Sequence, residues 1–153
     1  MVQAPVRPYL LIVEDSDEDF ESLQRILAKT CHVDAPIVRC YDGDDAIDFL
    51  HRTGTYASQP IKTLPSLILL DLNLPGTDGR EVLTHIKQDK HLKILPVVIL
   101  TTSSNPSDID TCYRYGANSY LLKHMDLALL KESIHLLMDY WLKAAVLPDT
   151  SIG

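Results

Sequence analysis

The sequence predicts an α/β fold in which a five-stranded parallel sheet is covered by five helices, and three observations lead there. Five short runs are apolar at consecutive positions, as in strands covered on both faces. Four of these five runs lead through a capping or turn residue into an amphipathic segment, and a capped helix also follows the last one. Strand and helix alternate five times, which favours parallel strands joined by right-handed crossovers. At 153 residues the chain is long enough for one core and too short for two.

The strands are predicted at residues 9–13, 37–40, 67–70, 97–100 and 119–122. Ser16 is placed to cap the first helix, with Asp17, Glu18 and Asp19 as first-turn acids that suit the helix dipole. That helix carries Phe20, Leu23, Ile26 and Leu27 on one face. Asp42 and Gly43 open the second, with Ala46, Ile47, Phe49 and Leu50 inward and Asp44 and Asp45 as caps or a solvated face. Asp78 and Gly79 open the third, with Val82, Leu83 and Ile86. Asn105 opens the fourth, followed by Pro106 at the first helical position, where its missing N–H costs nothing. Asp126 caps a fifth helix reaching about Ala144. Residues 51–65 form a longer connection. The organisation expected is an N-terminal extension (1–8), one domain (9–144) and a C-terminal tail (145–153).

Composition narrows the function. Net charge is −7, with no Lys/Arg cluster, which argues against nucleic acid and against a basic membrane-surface helix. No apolar run approaches a membrane span, and the first residues lack the pattern of a secretory signal. Cys31, Cys40 and Cys112 are odd in number and widely spaced, which fits free thiols in a reducing cytoplasm. The six histidines show no metal-ligand spacing, so surface or satisfied roles are the default.

In an open parallel sheet, ligands bind beyond the carboxyl ends of the strands. Glu14 and Asp15 follow the first strand, Asp71, Leu72 and Asn73 the third, Thr101 and Thr102 the fourth, and Lys123 the fifth. Carboxylates crowded together repel unless a cation sits among them, and Mg²⁺ takes carboxylate and phosphate oxygens. Asp71 is then a candidate nucleophile toward a phosphoryl group, with Lys123 and a threonine hydroxyl placed to meet the product phosphate. A calcium loop beginning at Asp71 fails, because Val82 stands where the bidentate Glu belongs.

These pieces resemble the receiver domain of two-component response regulators. The likeness rests on Leu11-Ile12-Val13-Glu14-Asp15, on the stretch from Leu69 through Asp71 to Gly79, on Val98-Ile99-Leu100-Thr101-Thr102, and on Ala117 to Lys123. It implies a doubly wound, flavodoxin-like sheet of order 2-1-3-4-5. By the same resemblance, Asp71 is the phosphoacceptor, and Glu14, Asp15, Asp71 and the Asn73 carbonyl serve Mg²⁺. Thr101 and Tyr120 are the switch pair, Lys123 contacts the phosphate, and Thr102 flanks it. Receivers usually place a cis-Pro after this lysine; here it is His124. A non-proline cis bond costs a few kcal/mol, about 3, so a trans bond with a shifted loop or a strained bond is expected.

On the fifth helix, Leu127, Leu130, Ile134, Leu137 and Trp141 form a stripe expected to pack on the sheet. Leu129, Leu136 and Tyr140 form a second, surplus stripe, and with Trp141 they mark a dimer or partner face. The ending Tyr140-Trp141-Leu142 with Leu147-Pro148 resembles the small regulators without an output domain that pair with cyanobacterial phytochrome kinases. That resemblance implies a homodimer phosphorylated by a light-sensing histidine kinase, while the cysteine usage is what points to the cytoplasm. The residues after Ala145 are too few for a helix-turn-helix. Two rivals are a degenerate receiver that binds without phosphorylation, and a phosphohydrolase with an aspartyl-phosphate intermediate. The second resembles the haloacid-dehalogenase phosphatases, but Asn73 stands where they need an acid.

Overall fold

The computed structural model describes residues 8–30, 35–59 and 63–150. Cys31, His32, most of the N-terminal extension and the last three residues of the tail lie outside them. The elements run β1 (Leu10–Val13), α1 (Asp17–Thr30), β2 (Ile37–Cys40), α2 (Gly43–His51), β3 (Leu67–Leu70), α3 (Gly79–Gln88), β4 (Val97–Thr101), α4 (Pro106–Arg114), β5 (Ser119–Leu122) and α5 (Leu127–Asp139). A π-helical turn, Tyr140–Ala144, extends α5 to the expected end. All strand pairs are parallel, in the order β2-β1-β3-β4-β5.

The consecutive apolar positions of the strands have a direct explanation in the two cores. Leu11, Val13, Ile68, Leu70, Val97 and Ile99 point into one, packed with Ala46, Phe49, Val82 and Ile86 from α2 and α3. Leu10, Ile12, Leu67, Leu69, Val98 and Leu100 point into the other, with Leu23 and Ile26 of α1 and Ile134 and Leu137 of α5. The three central strands β1, β3 and β4 therefore need apolar side chains on both of their faces, while the edge strands β2 and β5 are only partly buried and carry Arg39 and Ser119.

The helix starts are where the capping residues place them. Ser16 Oγ accepts from the Asp19 amide, and the side chains of Asp42, Asp78, Asn105 and Asp126 accept from the amides of Asp45, Arg80, Ser107 and Ala128. Each satisfies a donor that the helix itself leaves unpaired. Cys40 and Cys112 are free and buried, and burial pushes the Cys40 thiol up to about 12.

One expectation for α5 needs correcting. Leu127 is 54% exposed and does not pack on the sheet, whereas Met138, outside the expected stripe, is buried. Met125, Asp126 and Ala128 are exposed as well, so the first turn of α5 stands clear of the core. Met138 lies four residues after Ile134, on the same helical face.

Candidate functional site

Strand register assembles the site. Val13 is paired with Leu70, and the Asp71 amide donates to the Val13 carbonyl at 3.2 Å, so Glu14 and Asp71 leave adjacent strands side by side. Thr101 is paired with Leu122, and the Lys123 amide donates to the Thr101 carbonyl at 2.7 Å. β5 stands two strands away from β3, about 9–10 Å at the usual spacing. A long side chain is needed to cross that gap, and Lys123 does so.

Its Nζ lies 2.6 Å from Glu14 Oε2, 3.0 Å from Asp71 Oδ2 and 3.0 Å from Asp19 Oδ2. Glu14 and Asp71 are buried, at 2% and 7% exposure, while Asp15 faces solvent. Glu14, Asp15 and Asp71 each offer an oxygen within 4.8 Å of the others. Burial pushes the Glu14 carboxyl up to about 7; Lys123 pulls against that and the Asp71 charge adds to it. Burial also works against the Lys123 ammonium, but the Glu14 hydrogen bond and the Asp71 and Glu14 charges outweigh it and hold it above its ordinary value. One ammonium thus faces four carboxylates, and the deficit of positive charge suits a hard divalent cation with oxygen ligands.

The remaining residues singled out in the sequence take distinct places. Asn73 is exposed and its amide donates to Asp71 Oδ1 at 3.3 Å. Thr101 is buried, with its hydroxyl 3.5 Å from the Ser103 amide, and Thr102 lies exposed beside it. The Tyr120 hydroxyl donates to the Ser103 carbonyl at 2.8 Å, while its ring packs against the core. The Lys123–His124 peptide is trans, since no cis bond occurs among the described residues, and Lys123 still reaches its partners. Leu129, Leu136 and Tyr140 are exposed on α5 and the turn after it. Trp141 is half-buried against the α1/α5 core and shares a shallow groove with Leu136 and Tyr140.

Several participants were not visible in the sequence. Asp19, expected only as a first-turn acid, reaches Lys123, and Asp17 pairs with Arg39 at 2.7 Å. Arg39 also donates to the Glu14 carbonyl and lies between the Phe20 and Tyr41 rings, which steadies the loop bearing Asp15. On the other side, Arg80 joins Asp78 to Asp108, and Asp108 accepts from Ser103 Oγ at 2.6 Å. Nothing in their spacing signals these contacts. Gly79 has a clearer purpose, because a Cβ there would stand 2.2 Å from the Asp71 carbonyl oxygen. Only glycine lets α3 start this close to the strand end that carries Asp71.

Comparison with known proteins agrees with this geometry. The family model described as the response regulator receiver domain matches residues 10–135. The response regulator Rcp1 of Synechocystis sp. is 43% identical over 139 residues, covering 91% of this chain and 92% of that protein. Among solved structures, the phosphorylated cyanobacterial phytochrome response regulator RcpA superposes with a TM-score of 0.86 at 40% identity, over 94% of this chain and 100% of the other. The Mn²⁺-bound form of Rcp1 gives 0.84 at 42% identity, over 92% and 99%.

Proposed function

The chain belongs to the response regulator receiver family, a family of signalling phosphoacceptors, and from that premise we propose that Asp71 takes a phosphoryl group from the histidine of a phytochrome-type sensor kinase. The observation that carries this reading is the buried Asp71 carboxylate, 3.0 Å from the Lys123 ammonium and beside Glu14 and Asp15. An Asp71 oxygen attacks phosphorus and the P–N bond of the phosphohistidine breaks. The imidazole nitrogen keeps the bonding electrons and takes a proton from water. The product is an acyl phosphate on Asp71.

Glu14, Asp15, Asp71 and the Asn73 carbonyl are the groups that would hold Mg²⁺, and their hard oxygens fit it. When bound, the ion supplies positive charge to the transferring phosphoryl oxygens. Lys123 already holds Asp71 and needs only a small movement to meet a phosphate oxygen. Asn73 and Thr102, both exposed at the rim, govern which water reaches the acyl phosphate.

The conformational output runs through Thr101 and Tyr120. Both meet Ser103, through its amide and its carbonyl, so a shift of the Thr101 hydroxyl toward phosphate disturbs the anchor of Tyr120. The face of α4, β5 and α5 changes with it. The exposed stripe Leu129, Leu136 and Tyr140, with Trp141 at its edge, is the surface through which two copies pair. We take residues 9–144 as the receiver unit, working in the cytoplasm; no described helix is long and apolar enough to cross a membrane.

Intact mass measured after incubation with Mg²⁺ and a small acyl-phosphate donor tests the chemistry. One phosphoryl addition is expected, absent with chelator and absent in Asp71→Asn. An addition that persists in Asp71→Asn would refute the assignment.

A further inference from the structure

α2 and α3 run back from the carboxyl edge of the sheet, so their C-terminal ends meet at the edge opposite Asp71. His51 is the last residue of α2, His85 lies in the last turn of α3, and Asp89 follows as its C-cap. The two imidazoles point their Nε2 atoms at each other, 2.7 Å apart, with the rings edge to face at 88°. Asp89 Oδ2 lies 3.9 Å from His51 Nε2, and each of the three residues offers a donor atom within 4.8 Å of the others. At that separation the N–H of one ring donates to the bare nitrogen of the other, the direction depending on the tautomers. Asp89 is oriented from behind: its Oδ1 accepts from the amides of His91 and Leu92 at 2.8 and 2.9 Å, which leaves Oδ2 turned toward the histidines.

We propose that His51, His85 and Asp89 bind a divalent transition-metal ion of the zinc type, which joins the end of α2 to the end of α3 at a site independent of the phosphorylation pocket. Two imidazoles and one carboxylate form a set of borderline ligands that suits zinc, whereas the all-oxygen cluster at Asp71 suits magnesium. The protein thus separates the two kinds of ion by donor chemistry at opposite edges of one sheet. Tetrahedral coordination with Zn–N near 2.0–2.1 Å sets two ligand nitrogens about 3.3 Å apart. The imidazoles must therefore part by roughly 0.6 Å, and the half-exposed side chains at two helix ends have freedom for that. A cleft of 530 Å³ opens beside them, lined by His51, Asp89, His91 and Asp149, with room for water as the fourth ligand. Arg52 lines it too, with its guanidinium donating to the Thr63 carbonyl and stacking over the Phe49 ring.

Zn²⁺ titration of the untagged full chain by calorimetry, in saturating Mg²⁺, tests the proposal. Wild type and Asp71→Asn should each bind one equivalent, with His51→Ala and His85→Ala weakened at least tenfold and His135→Ala unchanged. Wild-type affinity in either histidine variant would overturn it, as would loss of binding in Asp71→Asn. Should either alanine variant unfold, long-range ¹H–¹⁵N spectra of the wild type decide the matter. Zn²⁺ should shift the imidazole nitrogens of His51 and His85, and shifts confined to other histidines would reject the site.

Discussion

Replacing Glu14 by Gln should stabilise the metal-free protein at pH 8 and do much less at pH 5. Folding raises the Glu14 carboxyl from 4.5 to about 7, chiefly through burial. The folded state therefore holds this proton more tightly than the unfolded chain does. Stability from that source is complete below about 4.5 and is lost as pH rises to about 7. At 1.36 kcal/mol per pKa step the full loss is about 3 kcal/mol at pH 8, and about 1 kcal/mol at pH 5. The substituted amide carries no charge to desolvate, but it has one oxygen where Lys123 and the Ser16 amide now bond to Oε2 and Oε1, so it keeps the Lys123 bond and gives up the Ser16 bond at a cost of about 1 kcal/mol. About 2 kcal/mol then remains at pH 8, and for a chain of this size that corresponds to roughly 4–8 °C in melting temperature. The assay is a pair of thermal melts in chelator at the two pH values, read as the difference between variant and wild type so that other titrations cancel. A gap that does not widen with pH, or a less stable variant at pH 8, would refute the reasoning. Millimolar Mg²⁺ should then raise the wild-type midpoint more than that of Glu14→Gln, because a ligand that binds only the folded state stabilises it by mass action.

Gly79→Ala should cost about 1–3 kcal/mol by overpacking, because its Cβ would stand 2.6 Å from Leu72 Cα and closer still to the Asp71 carbonyl. The urea midpoint should fall and phosphorylation from a small donor should slow together; an unchanged rate would show that Asp71 tolerates the shift. Leu136→Lys, at a position 62% exposed, should leave stability within about 0.5 kcal/mol. On the pairing proposed through α5 it should also convert a dimer to monomers in light scattering, and a mass unaltered by the change would remove α5 from the pairing surface.

Much of the fold is written locally. An unbroken apolar run needs two cores, and a Ser, Asp or Asn ahead of an amphipathic segment needs only its own next turn to act as a cap. Ser16, Asp42, Asp78, Asn105 and Asp126 all cap as their neighbours dictate. The carboxylate cluster was legible for a related reason. Parallel strands all end on one edge, so whatever follows β1, β3, β4 and β5 converges there, and Glu14, Asp71 and Lys123 do meet.

What the sequence alone left open depends on which helices become neighbours and at what rotation. Asp17 and Asp19 belong to one helical turn, yet one meets Arg39 from β2 and the other Lys123 from beyond β5. His51 and His85 are 34 residues apart and meet only because α2 and α3 end side by side. Leu127 repeats with the correct period, but the first turn of α5 has no sheet beneath it. Hydrophobic period and capping are properties of a few consecutive residues, and the chain carries them wherever it goes. A contact between side chains on separate elements exists only once two cores have set the distance and angle between those elements. That is why the strands, the caps and the acidic edge could be read from the sequence, while the Asp19 and Arg39 contacts and the paired histidines were decided by tertiary packing.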